Sequence, residues 1–138
     1  MAAMSHPQSQ HVETTFVGGT ILSRRRATIA KVTMLAQLDR LKETGRYDCF
    51  KLKWHLIYDD KSMWPVPFHL FWDSDVAKWI ESACYFLQSE YDKRLDHAVC
   101  ELVESIRGAQ QSDGYINVHY TVVEPEKKWS NLRDMHEL

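Results

Sequence analysis

The stretch Lys93-Arg94-Leu95-Asp96-His97-Ala98-Val99-Cys100-Glu101-Leu102-Val103-Glu104-Ser105-Ile106-Arg107-Gly108-Ala109-Gln110 decides the fold. Leu95, Ala98, Val99, Leu102, Val103, Ile106 and Ala109 recur at helical spacing, so one face of a helix from about Lys93 to Gln110 is apolar. Upstream, Val76, Trp79, Ile80, Ala83 and Leu87 draw a second apolar stripe on a helix that starts at Asp73-Ser74-Asp75. Asp73 or Ser74 is the expected cap, and the acids complement the positive helix N-terminus. Only Ser89-Glu90-Tyr91-Asp92 separates the two helices, which is short enough to force an antiparallel hairpin.

A third helix is expected from Ser23, its N-cap, through Ile29, Val32, Leu35, Leu38 and Leu41 to a stop at Gly45. Arg24-Arg25-Arg26 sits in its first turn, either solvated or facing acids elsewhere. Residues 46–72 are dense in aromatics, with Pro65 and Pro67 barring a continuous helix, so a short helix near 47–57 and then an irregular segment are expected. Residues 1–20 are polar and read as a flexible arm, with the folded unit at 21–138. After Gln111-Ser112-Asp113-Gly114, residues 115–134 show local alternation at Ile116, Val118, Tyr120 and Val122, in a long loop without a helix. A loop of that length inside a domain is usually functional. A new helix opens at Asp134, and a chain stopping one turn into it reads as truncated.

The 138 residues carry 17 Lys+Arg, 19 Asp+Glu and 7 His, a net charge of −2 with no basic tract, which argues against a nucleic-acid partner. No apolar run approaches the ~18 residues of a membrane span. The N-terminus lacks the apolar core of a secretory signal, so a cytoplasmic location is expected. Cys49, Cys84 and Cys100 have no metal-ligand spacing and are expected to pack as small hydrophobes.

The hairpin places the start of the Asp73 helix and the end of the Gln110 helix at one end. The loop from 111 leads into the helix at Asp134, so a neighbouring position for that helix brings His136 near Trp72, Asp73 and Asp75. Carboxylates and an imidazole hydrogen-bond hydroxyls, and an indole offers a flat apolar face, so this rim suits a hydroxyl-rich ligand. A plain capping role for Asp73 and a core role for Trp72 account equally for those two positions.

The run Phe71-Trp72-Asp73-Ser74-Asp75-Val76-Ala77-Lys78-Trp79-Ile80-Glu81 resembles the helical core of glycoside hydrolase family 127, the β-L-arabinofuranosidases and their relatives. So does Ala109-Gln110-Gln111-Ser112-Asp113-Gly114-Tyr115-Ile116-Asn117, and Arg133-Asp134-Met135-His136-Glu137-Leu138 is similar to the family's His-Glu motif. The resemblance spans about residues 20–138. It implies an all-α fold, the N-terminal part of an (α/α)6 barrel built of antiparallel helical hairpins and incomplete here. It also implies a carbohydrate partner, an arabinofuranosyl or related glycoside cleaved with retention. His136 maps onto the family's sugar-binding histidine, with Asp73, Asp75 and Trp72 as companion substrate-binding candidates. The family's nucleophile is a cysteine held on zinc by a glutamate and other cysteines, with a second glutamate as acid/base. These residues map beyond Leu138, so no catalytic or metal-binding residue is expected in this chain, and zinc only in the full-length member. Alone, the chain is expected to be inactive. The alternatives are a non-catalytic helical fragment that binds sugar or protein, and a different six-hairpin enzyme such as an unsaturated-uronide hydrolase. The sequence does not reveal the oligomeric state.

Overall fold

A computed structural model describes residues 15–53 and 71–130, and every regular element among these is helical. In chain order they are α1 (Ile21–Thr28), a π turn (Ile29–Thr33), α2 (Met34–Glu43), a 3-10 turn (Arg46–Lys51), α3 (Trp72–Ser89), α4 (Lys93–Ala109), α5 (His119–Val122) and a second 3-10 turn (Pro125–Lys127).

The first helix starts three residues earlier than its sequence implies. Thr20 is its cap, the Thr20 hydroxyl accepting the Ser23 N–H at 3.2 Å. Ser23 lies inside the first turn and donates its own hydroxyl to the Thr20 carbonyl at 2.9 Å. The π turn inserts one extra residue per turn and shifts the register of the apolar stripe. Ile29 and Val32, expected on the buried face, are 41% and 61% exposed, whereas Met34, Leu38 and Leu41 of α2 are buried. Gly45, at φ 81°, ends the segment as expected. The helix expected near 47–57 is instead a 3-10 turn that buries Cys49 and Phe50, stopped by Leu52 in the left-handed region. Residues 54–57 and the irregular segment expected after them, up to residue 70, lie outside the described residues, as do 1–14 of the expected arm.

The hairpin forms as its spacing predicts. Asp92 caps α4, its carboxylate accepting the Arg94 N–H at 2.8 Å. The faces that meet are Trp72, Val76, Trp79 and Ala83 of α3 and Leu95, Ala98, Leu102 and Ala109 of α4. The Trp79 indole N–H donates to the Met34 carbonyl at 3.1 Å and fastens α3 to the start of α2. Arg26 of α1 reaches Ser89 at the far end of α3 at 2.9 Å and lies over the Phe16 and Phe86 rings, so this arginine meets a hydroxyl and aromatics.

Two further expectations are corrected. Cys84 and Cys100 are exposed, because they fall on the outer sides of α3 and α4, and only Cys49 is buried. The loop after Gly114 contains a helical turn, α5, in place of alternating extended chain. Tyr115, Asn117, Val118, His119 and Tyr120 are all buried, so burial there is nearly continuous. The Asn117 side chain accepts the Tyr120 N–H at 2.8 Å and sets the start of the turn.

Leu102 is fully buried and its neighbour Val103 is 41% exposed. Leu102→Ala is expected to destabilise the fold by about 2–5 kcal/mol in urea denaturation, and Val103→Ala by well under ~1 kcal/mol.

Candidate functional site

The first turn of α3 carries Trp72, Asp73 and Asp75, and the structure places all three at the end where α4 finishes and the 111–130 loop begins. Their individual settings differ. Trp72 is 3% exposed and belongs to the core, with the Arg46 guanidinium 5.6 Å above its ring. Asp75 forms an ion pair with Arg46 at 3.0 Å, and its side chain keeps 39% of its surface exposed. Asp75 and Arg46 therefore present charged, hydrogen-bonding groups to the outside directly above a buried indole.

Asp73 is not the cap. The helix starts at Trp72, with Phe71 in the cap position and no side chain filling it. Neither Asp73 nor Ser74 serves there, because both already lie within the first turn. One carboxylate oxygen of Asp73 accepts the Ser74 N–H at 2.7 Å, and the other accepts the Val118 N–H at 3.1 Å. The carboxylate thus ties the loop to the first turn of α3. Burial pushes the Asp73 carboxyl above its ordinary value, partly offset by these N–H donors and by the nearby His119 imidazole.

Beyond the tether lies a polar cluster that no sequence spacing announces. His119 is 2% exposed, and its Nε2 lies 3.0 Å from a Glu124 carboxylate oxygen. Lys127 donates to the other oxygen of Glu124. The Tyr120 ring meets the imidazole edge-on at 4.7 Å. His119 and Glu124 stand five residues apart across a tight turn, outside any helical or strand period, so only the folded loop reveals their partnership. Arg46 was equally hidden, since its partner lies 29 residues away.

A groove of about 460 Å³ opens between α2 and α3, lined in part by Gln37, Arg40, Arg46, Asp75, Lys78 and Ser82. Leu41 and Trp79 also line it, and its charged side shares Asp75 and Arg46 with the rim. His136 lies outside the described residues.

Among the described residues no three His, Cys, Asp or Glu side chains gather as a metal site. The Cys49 thiol is pushed up to about 12, first by burial and then by the Asp73 charge, which keeps it protonated. Cys84 and Cys100 sit exposed on separate helices. These thiols do not make the donor set of a zinc-thiolate centre. No described helix is long and apolar enough to cross a membrane.

Residues 17–138 match the family described as β-L-arabinofuranosidase, GH127 catalytic domain. A curated relative, the non-reducing end β-L-arabinofuranosidase of Bifidobacterium longum subsp. longum, is 36% identical over 73 residues, 50% of this chain and 11% of the relative. The crystal structure of a GH127 β-L-arabinofuranosidase from Geobacillus stearothermophilus T6 aligns over 86% of this chain and 19% of that one. The TM-score is 0.70 and the sequence identity 31%. The chain therefore spans only a small part of the length of these relatives.

The Glu124 carboxyl is held below its ordinary value of 4.5: burial alone would raise it, but the bonds from Lys127 and His119 outweigh that. A carboxyl depressed in the folded state contributes stability above its unfolded value, and the contribution is lost as pH falls through the folded one. Asp73, raised in the folded state, acts with the opposite sign: its contribution is present at low pH and lost as pH rises through its folded value. The Glu124 contribution to amide protection of residues 115–124 is therefore expected to be lost as pH drops below 4.5, against the opposite contribution of Asp73. Protection in Glu124→Gln is accordingly expected to fall less with acid than in the parent. Hydrogen exchange followed from neutral to acid pH measures both.

Proposed function

The chain belongs to the GH127 β-L-arabinofuranosidase catalytic-domain family, and from that premise we propose that it forms the N-terminal, sugar-facing helices of a retaining glycoside hydrolase acting on β-L-arabinofuranosyl groups. The match of the family over residues 17–138 is the observation that carries this reading. These helices are the N-terminal part of an (α/α)6 barrel, and their partner is a carbohydrate. A cytoplasmic location belongs to the same proposal.

Within this reading each candidate residue has a task, that of His136 resting on the family resemblance alone. Asp75 and His136 hydrogen-bond the hydroxyls of the terminal sugar, Asp75 being exposed at the rim and oriented by Arg46 at 3.0 Å. Trp72 supports that pair from below, and Asp73 holds the loop that leads toward His136. A carboxylate fixed by a guanidinium is a good acceptor for sugar O–H donors, and it loses little conformational freedom on binding. The zinc that the family resemblance implies supplies, when bound, a deprotonated thiolate nucleophile. The described thiols do not fit it, and it is the family resemblance that puts the bond-breaking groups in the part of the relatives that this chain does not span.

A non-catalytic sugar-binding role is the second reading. It is favoured by the rim itself, where the Asp75–Arg46 pair at 3.0 Å offers hydroxyl-binding groups without a nucleophile beside them among the described residues. The two readings separate on product release. The protein carrying this chain is expected to liberate L-arabinose from p-nitrophenyl β-L-arabinofuranoside, and His136→Ala to lower kcat/KM about tenfold or more. Sugar binding without release would establish the second reading, and neither binding nor release would refute both.

A further inference from the structure

Trp129 follows the second 3-10 turn on the loop beyond α5, and two features set it apart. Its backbone stands at φ 67°, a left-handed conformation that bulky residues rarely adopt. Its side chain is 54% exposed, although a large apolar ring would normally be turned inward. The indole is backed by the Tyr115 ring, centroids 4.6 Å apart at 60°. Lys128 Nζ lies 4.0 Å from the Tyr115 centroid and 5.5 Å from that of Trp129, and it is anchored to the Asp113 carboxylate at 2.6 Å. Tyr115 itself is fixed to the end of α4, its carbonyl accepting the Gln111 N–H at 2.9 Å. An apolar ring is thus held outward on a braced aromatic base, beside a cation, at the same end of the hairpin as Asp73 and Asp75.

We infer that Trp129, backed by Tyr115 and flanked by Lys128, is a stacking shelf for a second glycosyl unit, the one that leaves with the aglycone when the terminal arabinofuranosyl group is removed. The inference rests on the proposed hydrolase reading and extends it to the leaving-group side. A sugar presents an apolar C–H face to an indole and hydroxyls at its edge, and Lys128 can donate to those hydroxyls. A unit removed from a non-reducing end has its neighbour on the outward side, where an exposed shelf at the rim is accessible.

The test compares a β-L-arabinofuranosyl disaccharide with methyl β-L-arabinofuranoside, which lacks the second sugar, as substrates of the protein carrying this chain. Trp129→Gly suits the left-handed backbone and removes the shelf, so it is expected to keep or raise the melting temperature. It is also expected to lower the kcat/KM preference for the disaccharide over the methyl glycoside about tenfold, with Trp129→Phe restoring most of the preference. An unchanged preference, or a loss of stability in Trp129→Gly, would overturn the inference in favour of a packing role. If neither substrate is cleaved, the hydrolase reading fails separately, and calorimetric titration of the disaccharide decides the shelf. Binding that Trp129→Gly weakens supports it, and absent or unaltered binding refutes it.

Discussion

The hydrogen bond from the Val118 N–H to Asp73, 3.1 Å long, holds the site together. It is a direct polar link between the loop after α4 and the first turn of α3, and it spans 45 residues of sequence. Without it, Trp72, Asp75 and Arg46 would still stand at the helix start, and the loop would be held to them only through the packing of Ile116 and Val118 on the core. Asp73 is suited to the task because a carboxylate has two acceptor oxygens. One closes on Ser74 within its own turn, and the other is left to reach across the chain. The helix N-terminus behind it favours the negative charge that burial penalises.

The rest of the loop is ordered by the same economy of polar groups. His119 is buried, yet Glu124 meets it, and Glu124 is in turn met by Lys127. Asn117 serves the Tyr120 N–H, and Asp113 secures Lys128. A buried charge is tolerable only when its partners are in place, so these contacts support one another or fail together. The loop is therefore a fixed part of the rim, and it holds Tyr115 and Trp129 at the end of the hairpin where α4 finishes.

The elements with a strong period were legible in the sequence. The α3–α4 hairpin, its short connection and the buried faces of both helices follow from apolar spacing, and the all-α class from the family resemblance. What escaped was whatever breaks a period. The π turn at Ile29–Thr33 leaves no mark in composition, yet it turns Ile29 and Val32 outward. The apparent alternation at Ile116–Val122 ends in a helical turn, His119–Val122, because Asn117 and Asp73 satisfy backbone N–H groups that a strand would pair with a neighbour. Of the rim residues, Trp72, Asp73 and Asp75 were visible from the hairpin geometry and, further, through a family resemblance. Arg46, His119 and Glu124 were not, because their roles depend on contacts that only the folded chain creates.

The central claim is that Asp73 organises the rim by tethering the loop, and amide hydrogen exchange of the Asp73→Ala variant tests it most directly. The expected result is a marked loss of protection at Val118 and through residues 115–123, with α4 amides such as Leu102 exchanging as in the parent protein. Unchanged protection at Val118 would contradict the account, and so would an equal loss throughout α3 and α4.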